Sequence, residues 1–324
     1  MALAVVRAVQ EWVERFGAAR KAAVLTIGNF DGVHLGHQRI LAGVLERARA
    51  LDMMAAVLTF YPPPARVLRP SAAPALLETL EQRLAGFDAA GMDAALVMQF
   101  DAALANMSAE DFVRLYLVET LRAGAVFVGG NFRFGHRQTG DVKLLEEFGR
   151  RWNFEVHVVA PVVVEGIVVS STAIRQALRE GRVEHAARLL GRPFALSGQI
   201  RPGTGQGRKL IVPTLNLATE QECLPQDGVY ATETVVEGKT YRSATNIGVR
   251  PTFAGKRLAT ESHLIEFSRD LTGGPMQICF HVRLRDEQKF SGPDALREQV
   301  LKDIERAKEY FVHKKRSGAG APRQ

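Results

Sequence analysis

The sequence predicts an α/β protein in two parts, a parallel sheet covered by helices followed by a mainly antiparallel β structure with a closing helix. Two textures carry that prediction. From Ala22 to about Leu190, short β-rich runs alternate with longer helical patterns, as expected for strands joined by crossover helices. Beyond Leu190, Gly, Pro and Thr become frequent and apolar residues alternate with polar ones, as in strands that bury one face.

The expected strands of the first part are Ala23–Ile27, Ala56–Phe60, Ala95–Phe100, Val126–Val128 and Glu155–Val159. Gln38–Leu51 sets Ile40, Leu41, Val44, Leu45 and Ala48 on one stripe and turns Glu46, Arg47 and Arg49 away, so it reads as a crossover helix. In the second part Ser262–Phe267 and Gln277–Val282 alternate strictly, which fits a sandwich or a barrel. A helix opening at Pro293, with Leu296, Val300, Ile304, Ala307 and Phe311 on one face, closes it. The change of texture puts a domain boundary near residue 186, within Arg182–Arg192. The expected division is therefore 1–185, 186–312 and a basic, flexible Gly/Ala/Pro-rich tail at 313–324.

With 324 residues, 46% of them hydrophobic and 24% charged, the chain can bury full cores, which excludes a peptide hormone, a knottin and a mainly disordered protein. The net charge is +7, but Lys314, Lys315, Arg316 and Arg323 put four cations in the tail. The body is then only mildly basic, which suits phosphorylated small molecules as well as polynucleotides. Cys223 and Cys279 show neither paired nor metal-binding spacing and point to a reducing compartment. The first residues lack the pattern of a targeting signal, and no run approaches the ~20 apolar residues needed to cross a bilayer. The expectation is a cytoplasmic protein without a membrane partner.

The segment Thr26-Ile27-Gly28-Asn29-Phe30-Asp31-Gly32-Val33-His34-Leu35-Gly36-His37 lies between the first strand and the first helix, where parallel sheets dock ligands. Gly28, Gly32 and Gly36 would let backbone approach a ligand, and the helix start would offer N–H groups and a positive dipole end to phosphate. His34 and His37 would donate to phosphate oxygens from that same side. The chemistry implied is nucleotidyl transfer, which needs charge stabilisation at phosphorus and no protein nucleophile. The competing reading, glycines that only shape a turn and surface or metal-binding histidines, is weaker inside the full Gly-x-Phe-Asp-Gly-Val-His-x-Gly-His context. Two later segments fit the same site. Val128-Gly129-Gly130-Asn131-Phe132-Arg133-Phe134-Gly135 ends a strand, and Ser170-Ser171-Thr172-Ala173-Ile174-Arg175 starts a helix. There Ser171 or Thr172 would serve as N-cap and Arg175 would reach for phosphate.

At these residues the chain resembles the prokaryotic bifunctional riboflavin kinase/FAD synthetase family. The resemblance runs from about Val24 to Phe311 through an ordered series that also includes Leu-Leu-Gly-Arg-Pro, Pro-Thr-x-Asn, Gly-Val-Tyr-Ala and Ile-Gly-x-Arg-Pro-Thr-Phe. It implies a Rossmann-like nucleotidyltransferase domain that adenylylates FMN to FAD with release of pyrophosphate. An antiparallel β-barrel domain that phosphorylates riboflavin to FMN follows it. Both steps would take ATP as co-substrate with Mg²⁺. By motif, His34, His37 and Arg175 would be catalytic at the ATP phosphates. Gly28, Phe30, Asp31, Gly36, Ser171 and Thr172 would bind ATP, and Asn131 would lie in the flavin site.

In the second half Gly203-Thr204-Gly205-Gln206-Gly207-Arg208-Lys209 is glycine-rich and ends in two cations, although it is not a P-loop. Alone it reads equally well as an inter-strand loop. With Thr214 and Asn216, two neutral oxygen-bearing side chains on one face of an extended segment, it becomes a candidate cradle in which Gly205, Gly207, Arg208 and Lys209 meet phosphate and Thr214 and Asn216 meet Mg²⁺. The resemblance makes Glu261 the catalytic base and puts Arg285 and Glu287 on a flavin-side loop. Four positions depart from the family pattern: Ile211 replaces Gly, Leu215 replaces Ala, Thr272 replaces Tyr and Pro63 replaces His. Three fall in the kinase half, so the alternative is an FAD synthetase with a weakened or flavin-binding-only kinase module. A non-catalytic flavin carrier would not need Glu261, and an RNA-binding role finds no basic patch with interleaved aromatics. The expected partners are thus riboflavin, FMN and ATP, with no nucleic acid; the sequence carries no signal of oligomeric state.

Overall fold

The computed structural model describes all residues except 1, 18–21, 203–211, 253–254, 270 and 319–324, and the side chains of 249–252, 255–258 and 315–318 also lie outside the description. The chain divides into two compact units, Met1–Ser171 and Thr172–Gln324.

In the first unit, β1 (Ala4–Val6), β2 (Ala23–Ile27), β3 (Met54–Phe60), β4 (Ala94–Met98), β5 (Ala123–Gly129) and β6 (Glu155–Val159) form one sheet in the order β1-β4-β3-β2-β5-β6. All of its pairings are parallel. Every residue of β2 and β4 is buried, because helices cover both faces. The chain leaves β2 toward β3 on one side and returns as β5 on the other. The carboxyl ends of β2 and β5 therefore form the topological switch point, the natural ligand crevice of such a sheet. Strand β1 has no counterpart among the expected strands, and β4 ends at Met98, short of Phe100.

Helix α1 (Leu35–Leu51) buries Leu41, Val44 and Ala48 and starts one turn earlier than the apolar stripe indicates, because His34 caps it. Helix α2 (Leu80–Ala90) opens with a capping box between Thr79 and Gln82 and stops at Gly91, whose φ of 88° is left-handed. Between these, Asp93 accepts the Ala55 N–H at 2.8 Å and ties β3 to β4. A small hairpin, β7 (Val163–Val164) and β8 (Ile167–Val168), precedes the end of the unit.

Helix α3 (Ser171–Arg179) and α4 (Val183–Leu190) lead into the second unit. The boundary expected near residue 186 falls inside α4, whose Val183, His185, Ala186, Leu189 and Leu190 are buried. Strands β9 (Phe194–Arg201), β10 (Leu215–Ala218), β11 (Gly228–Val236), β12 (Lys239–Thr252), β13 (Gly255–Leu264) and β14 (Pro275–Arg285) close into an antiparallel barrel in the order β10-β13-β12-β11-β14-β9. Of the two architectures the alternation allows, the chain takes the barrel. The closing helix α5 (Pro293–Gly318) packs Ile304, Ala307 and Phe311 on Ala231, Ala244 and Ile265. Because α5 runs to Gly318, residues 313–318, which composition assigns to a tail, are helical.

Five fully buried hydroxyls form a closed ring inside the barrel. Thr232 meets Ser243 at 2.8 Å, Ser243 meets Thr234 at 2.7 Å, Thr234 meets Ser262 at 2.8 Å, Ser262 meets Thr245 at 2.9 Å and Thr245 meets Thr232 at 2.6 Å. Each hydroxyl can donate once and accept once around such a ring, so burial leaves none unsatisfied. The ring fixes which face of β13 points inward: Thr260, Ser262 and Leu264 are buried, and Glu261 and His263 lie on the opposite, half-buried face.

Candidate functional site

The loop after β2 is strained and heavily tied. Phe30, Gly32 and Val33 have φ of 52°, 92° and 35°, the last an uncommon value for a β-branched residue. The Val33 N–H donates to the Phe30 carbonyl at 3.1 Å and Gln38 Nε2 donates to the Val33 carbonyl at 2.8 Å. The Asp31 carboxylate, nearly fully buried, accepts the Leu77 N–H at 3.0 Å and the Glu78 N–H at 3.3 Å. Ser171 Oγ donates to the Asp31 carbonyl at 2.8 Å. Asp31 and Ser171, expected at ATP, thus shape the loop.

The glycines are held by close contacts. A Cβ on Gly28 would lie 3.1 Å from the Phe30 ring, and one on Gly36 would lie 3.2 Å from the His34 ring, so a side chain at either position would press on the site. The Phe30 ring meets Phe87 edge-on at 5.4 Å and His37 at 5.0 Å.

His34 Nδ1 accepts the His37 backbone N–H at 3.3 Å, which caps α1 and leaves Nε2 as the protonated nitrogen of a neutral His34 ring. The two imidazoles stack with centroids 3.6 Å apart and planes 14° apart. Burial first, then the charges of His34 and Arg83, hold His37 well below its ordinary value, so it stays neutral near pH 7.

Beside this loop lies a cleft of about 930 Å³, lined by Gly28, by the aromatic rings of Phe60, Phe100, Phe112, Phe132 and Phe134, and by Arg69, Arg133, His136 and Arg137. Gly135 has a φ of 72°, and a Cβ there would come 2.7 Å from the Ala109 backbone, so the turn that presents His136 and Arg137 needs glycine. Asn131 is exposed and its neighbours Phe132 and Arg133, rather than Asn131, line the cleft. The three arginines were not singled out in the sequence; Arg133 was visible only as a variable position inside its motif. Thr172 and Arg175 belong to the second unit, where Thr172 is exposed and Arg175 is buried.

On the barrel, Asn216 in β10 stands opposite Glu261 in β13, and Glu261 stands opposite Asn246 in β12. Asn216, Glu261 and Asn246 therefore form a row across three strands on one face, with Thr214 just before β10. His263 Nδ1–H donates to the Pro213 carbonyl at 2.8 Å and anchors that approach, and burial keeps this ring below its ordinary pKa. Asn246 was missed in the sequence, although it lies next to the quoted Ile-Gly-x-Arg-Pro-Thr-Phe run. Asn216, Thr214 and Glu261 offer the hard oxygen donors that Mg²⁺ prefers. Among the described residues no cluster of three His, Cys, Asp or Glu could hold a metal by itself. Gly205, Gly207, Arg208, Lys209 and Ile211 lie outside the described residues.

Arg285, expected on a flavin-side loop, is engaged with the closing helix. Its Nε and Nη2 donate to the Asp303 carboxylate of α5 at 2.9 Å and 2.7 Å, and Nη1 donates to the Asp286 carbonyl at 2.8 Å. Glu287 packs its carboxylate against Gly248 of β12, where a Cβ would displace it.

Residues 17–173 match the family model for FAD synthetase, and residues 190–311 match that for riboflavin kinase. The bifunctional riboflavin kinase/FMN adenylyltransferase of Escherichia coli K12 is 38% identical over 91% of this chain and 94% of its own length. The enzyme of that name from Pseudomonas fluorescens is 38% identical over 89% of this chain and 93% of its own length. A crystal structure described as a macrolide-efflux protein from Streptococcus pneumoniae shares the fold with a TM-score of 0.85 and 26% identity, covering 95% of this chain and 99% of its own. Among the described residues here, no helix is long and apolar enough to cross a membrane. With both catalytic modules matched in order and near full-length relatives at this identity, the chain belongs to the bifunctional riboflavin kinase/FMN adenylyltransferase family.

Proposed function

We propose that the first unit makes FAD from FMN at the mouth of β2 and β5, and that the barrel makes FMN from riboflavin at the Asn216–Glu261 row. The observation that carries the first assignment is the stacked His34–His37 pair at the start of α1, beside a cleft walled by aromatic rings and arginines. A flavin ring fits such walls by stacking, and Arg69, Arg133 and Arg137 would meet the FMN phosphate. An FMN phosphate oxygen attacks the α-phosphorus of ATP, the bond to the β-phosphate breaks, and pyrophosphate leaves. His34 Nε2–H, the neutral His37 ring and the N-terminus of α1 would stabilise the charge gathered on the α-phosphate and the leaving group. Thr172 and Arg175 keep the phosphate role that their motif gives them.

In the barrel, Glu261 would accept the proton of the primary alcohol of riboflavin as its oxygen attacks the γ-phosphorus of ATP and ADP departs. Thr214 and Asn216 would hold Mg²⁺, which supplies neutralisation of phosphate charge when bound. Glu287 remains the flavin-side candidate, and Arg285 serves as a brace for α5. The division of labour follows the expected domains 1–185 and 186–312, and the setting is the cytoplasm. Pure protein with ATP, Mg²⁺ and either riboflavin or FMN, followed by separation of the flavins, tests the reading. FMN and FAD are expected from riboflavin, and FAD from FMN. Absence of FAD in the FMN reaction overturns the first assignment; FAD from FMN with no product from riboflavin selects the weakened-kinase alternative that Ile211, Leu215 and Thr272 raise.

A further inference from the structure

Helix α2 carries an arginine that neither reaction above uses. Arg83 is fully buried. Its Nη1 lies 3.4 Å from Thr59 Oγ1 and from the Phe60 carbonyl, at the long limit of hydrogen bonding. Its Nε and Nη2 have no hydrogen-bond partner among the described residues, and the same is true of the buried Thr26 Oγ1 and His37 Nδ1.

These groups share one place. Val24 and Val57 pack in one core with Phe30, Val33 and Phe87, and strand alternation puts Thr26 and Thr59 on that same face of β2 and β3. Helix α2 is pressed onto the site loop there, since a Cβ on Gly86 would come 3.0 Å from Val33 and Phe87 meets the Phe30 ring that also meets His37. Arg83 stands one turn before Phe87 and so faces the same way. A buried cation with unmade hydrogen bonds is costly, and packing alone would be served by an apolar residue.

We propose that Arg83 is a positioning residue for adenylyl transfer, a fixed positive charge behind the site loop that keeps His37 an uncharged ring. The proposal rests on the assignment of His37 to the nucleotide site. The His34 and Phe30 rings of its own loop lie against His37, and Arg83 acts on it electrostatically from α2. Burial lowers the Arg83 pKa from its ordinary value, against the pull of Asp31, Glu78, Tyr61 and Glu81. Burial, His34 and Arg83 all disfavour an imidazolium at His37. A permanent imidazolium would grip ATP and pyrophosphate as tightly as the transition state, whereas a neutral donor gains strength only as charge develops.

The test is an NMR titration of the His37 imidazole in the full chain, assigned by its loss in His37→Gln, alongside the pH profile of FAD formation from FMN. In the wild type the His37 midpoint should fall below the ordinary 6.5. Arg83→Met should raise it and carry the acid limb of FAD synthesis upward, so that below the new midpoint turnover falls relative to wild type. Arg83→Lys should keep both at wild-type values, and riboflavin phosphorylation should be unchanged in both variants. A wild-type midpoint at or above 6.5 overturns the proposal, as does an unmoved midpoint in Arg83→Met or a shift in Arg83→Lys equal to that of the Met variant. If Arg83→Met does not fold, the wild-type titration and the Lys variant decide. Failure of the wild type to make FAD would instead refute the site assignment, which the titration does not depend on.

Discussion

His34 accepts the backbone N–H of His37 at 3.3 Å while the two rings stack 3.6 Å apart, so one side chain both caps α1 and belongs to the proposed nucleotide site. The two roles separate by substitution. His34→Asn supplies an equally good cap and should leave the thermal midpoint unchanged, whereas His34→Ala should cost about 1 kcal/mol of stability. Both variants, and His37→Ala, should lose FAD formation by ~10²–10³ while riboflavin phosphorylation continues. If His34→Asn still makes FAD at the wild-type rate, His34 is a cap and nothing more.

His281 makes the barrel sensitive to acid. Lys314 Nζ donates to its Nδ1 at 2.8 Å and its Nε2–H donates to Glu233 at 2.8 Å, an arrangement that only the neutral ring can hold. Burial and then Lys314 push its pKa below the ordinary 6.5, against the pull of Glu233. The unfolded chain therefore takes up this proton first as pH falls. The contribution to stability is fully present above 6.5 and is lost progressively below it, until the folded pKa is passed. Gln at this position can accept from Lys314 and donate to Glu233 without titrating. His281→Gln should thus flatten the fall in melting temperature between pH 7 and 5, measured by calorimetry; equal slopes in the two proteins would remove His281 from the account.

The parallel sheet was legible because β2 and β4 bury both faces and appear as near-continuous apolar runs, broken only by Thr26, whereas β1, three residues long, is too short to show a period. The start of α1 was hidden by its unusual cap, since His34 is not among the residues that signal a helix start. Alternation announced antiparallel strands but not their closure, because Thr232, Thr234, Ser243, Thr245 and Ser262 occupy interior positions where a polar residue normally marks the solvent face. His34, His37, Asn216 and Glu261 could be read from motifs. Asn246 could not, because its place beside Glu261 depends on the β12–β13 register. Arg83 carried no signal in the sequence because its burial depends on how α2 packs on the sheet, and the Arg285–Asp303 pair carried none because the two residues lie 18 positions apart.

The Arg285–Asp303 pair is a brace between barrel and closing helix. The two side chains are only 15% and 3% exposed, so removing one leaves a nearly buried charge unpaired. Asp303→Ala should destabilise the second unit by about 3–5 kcal/mol and slow riboflavin phosphorylation through loss of fold. The first unit should keep its own unfolding transition and its FAD synthesis. A variant with an unchanged melting profile and an altered Michaelis constant for riboflavin would return Arg285 to the flavin site.

Glu261 stands between Asn216 and Asn246, and that placement gives a prediction about charge as well as identity. Glu261→Gln keeps shape and hydrogen bonding but cannot accept a proton, so FMN formation should fall by ~10²–10⁴ with FAD synthesis from FMN intact. Asn246→Asp is the sharper probe. It puts a second carboxylate directly across the strand pair, roughly 5 Å away by Cβ separation, where like charges repel. That repulsion raises the pKa of Glu261, so the base is neutralised at higher pH and the acid limb of riboflavin phosphorylation should move upward. Asn246→Ala, which adds no charge, should leave the limb where it is in the wild type. A limb that stays fixed in Asn246→Asp, in a protein that otherwise folds and still makes FAD from FMN, would show that the proton is taken by a group other than Glu261.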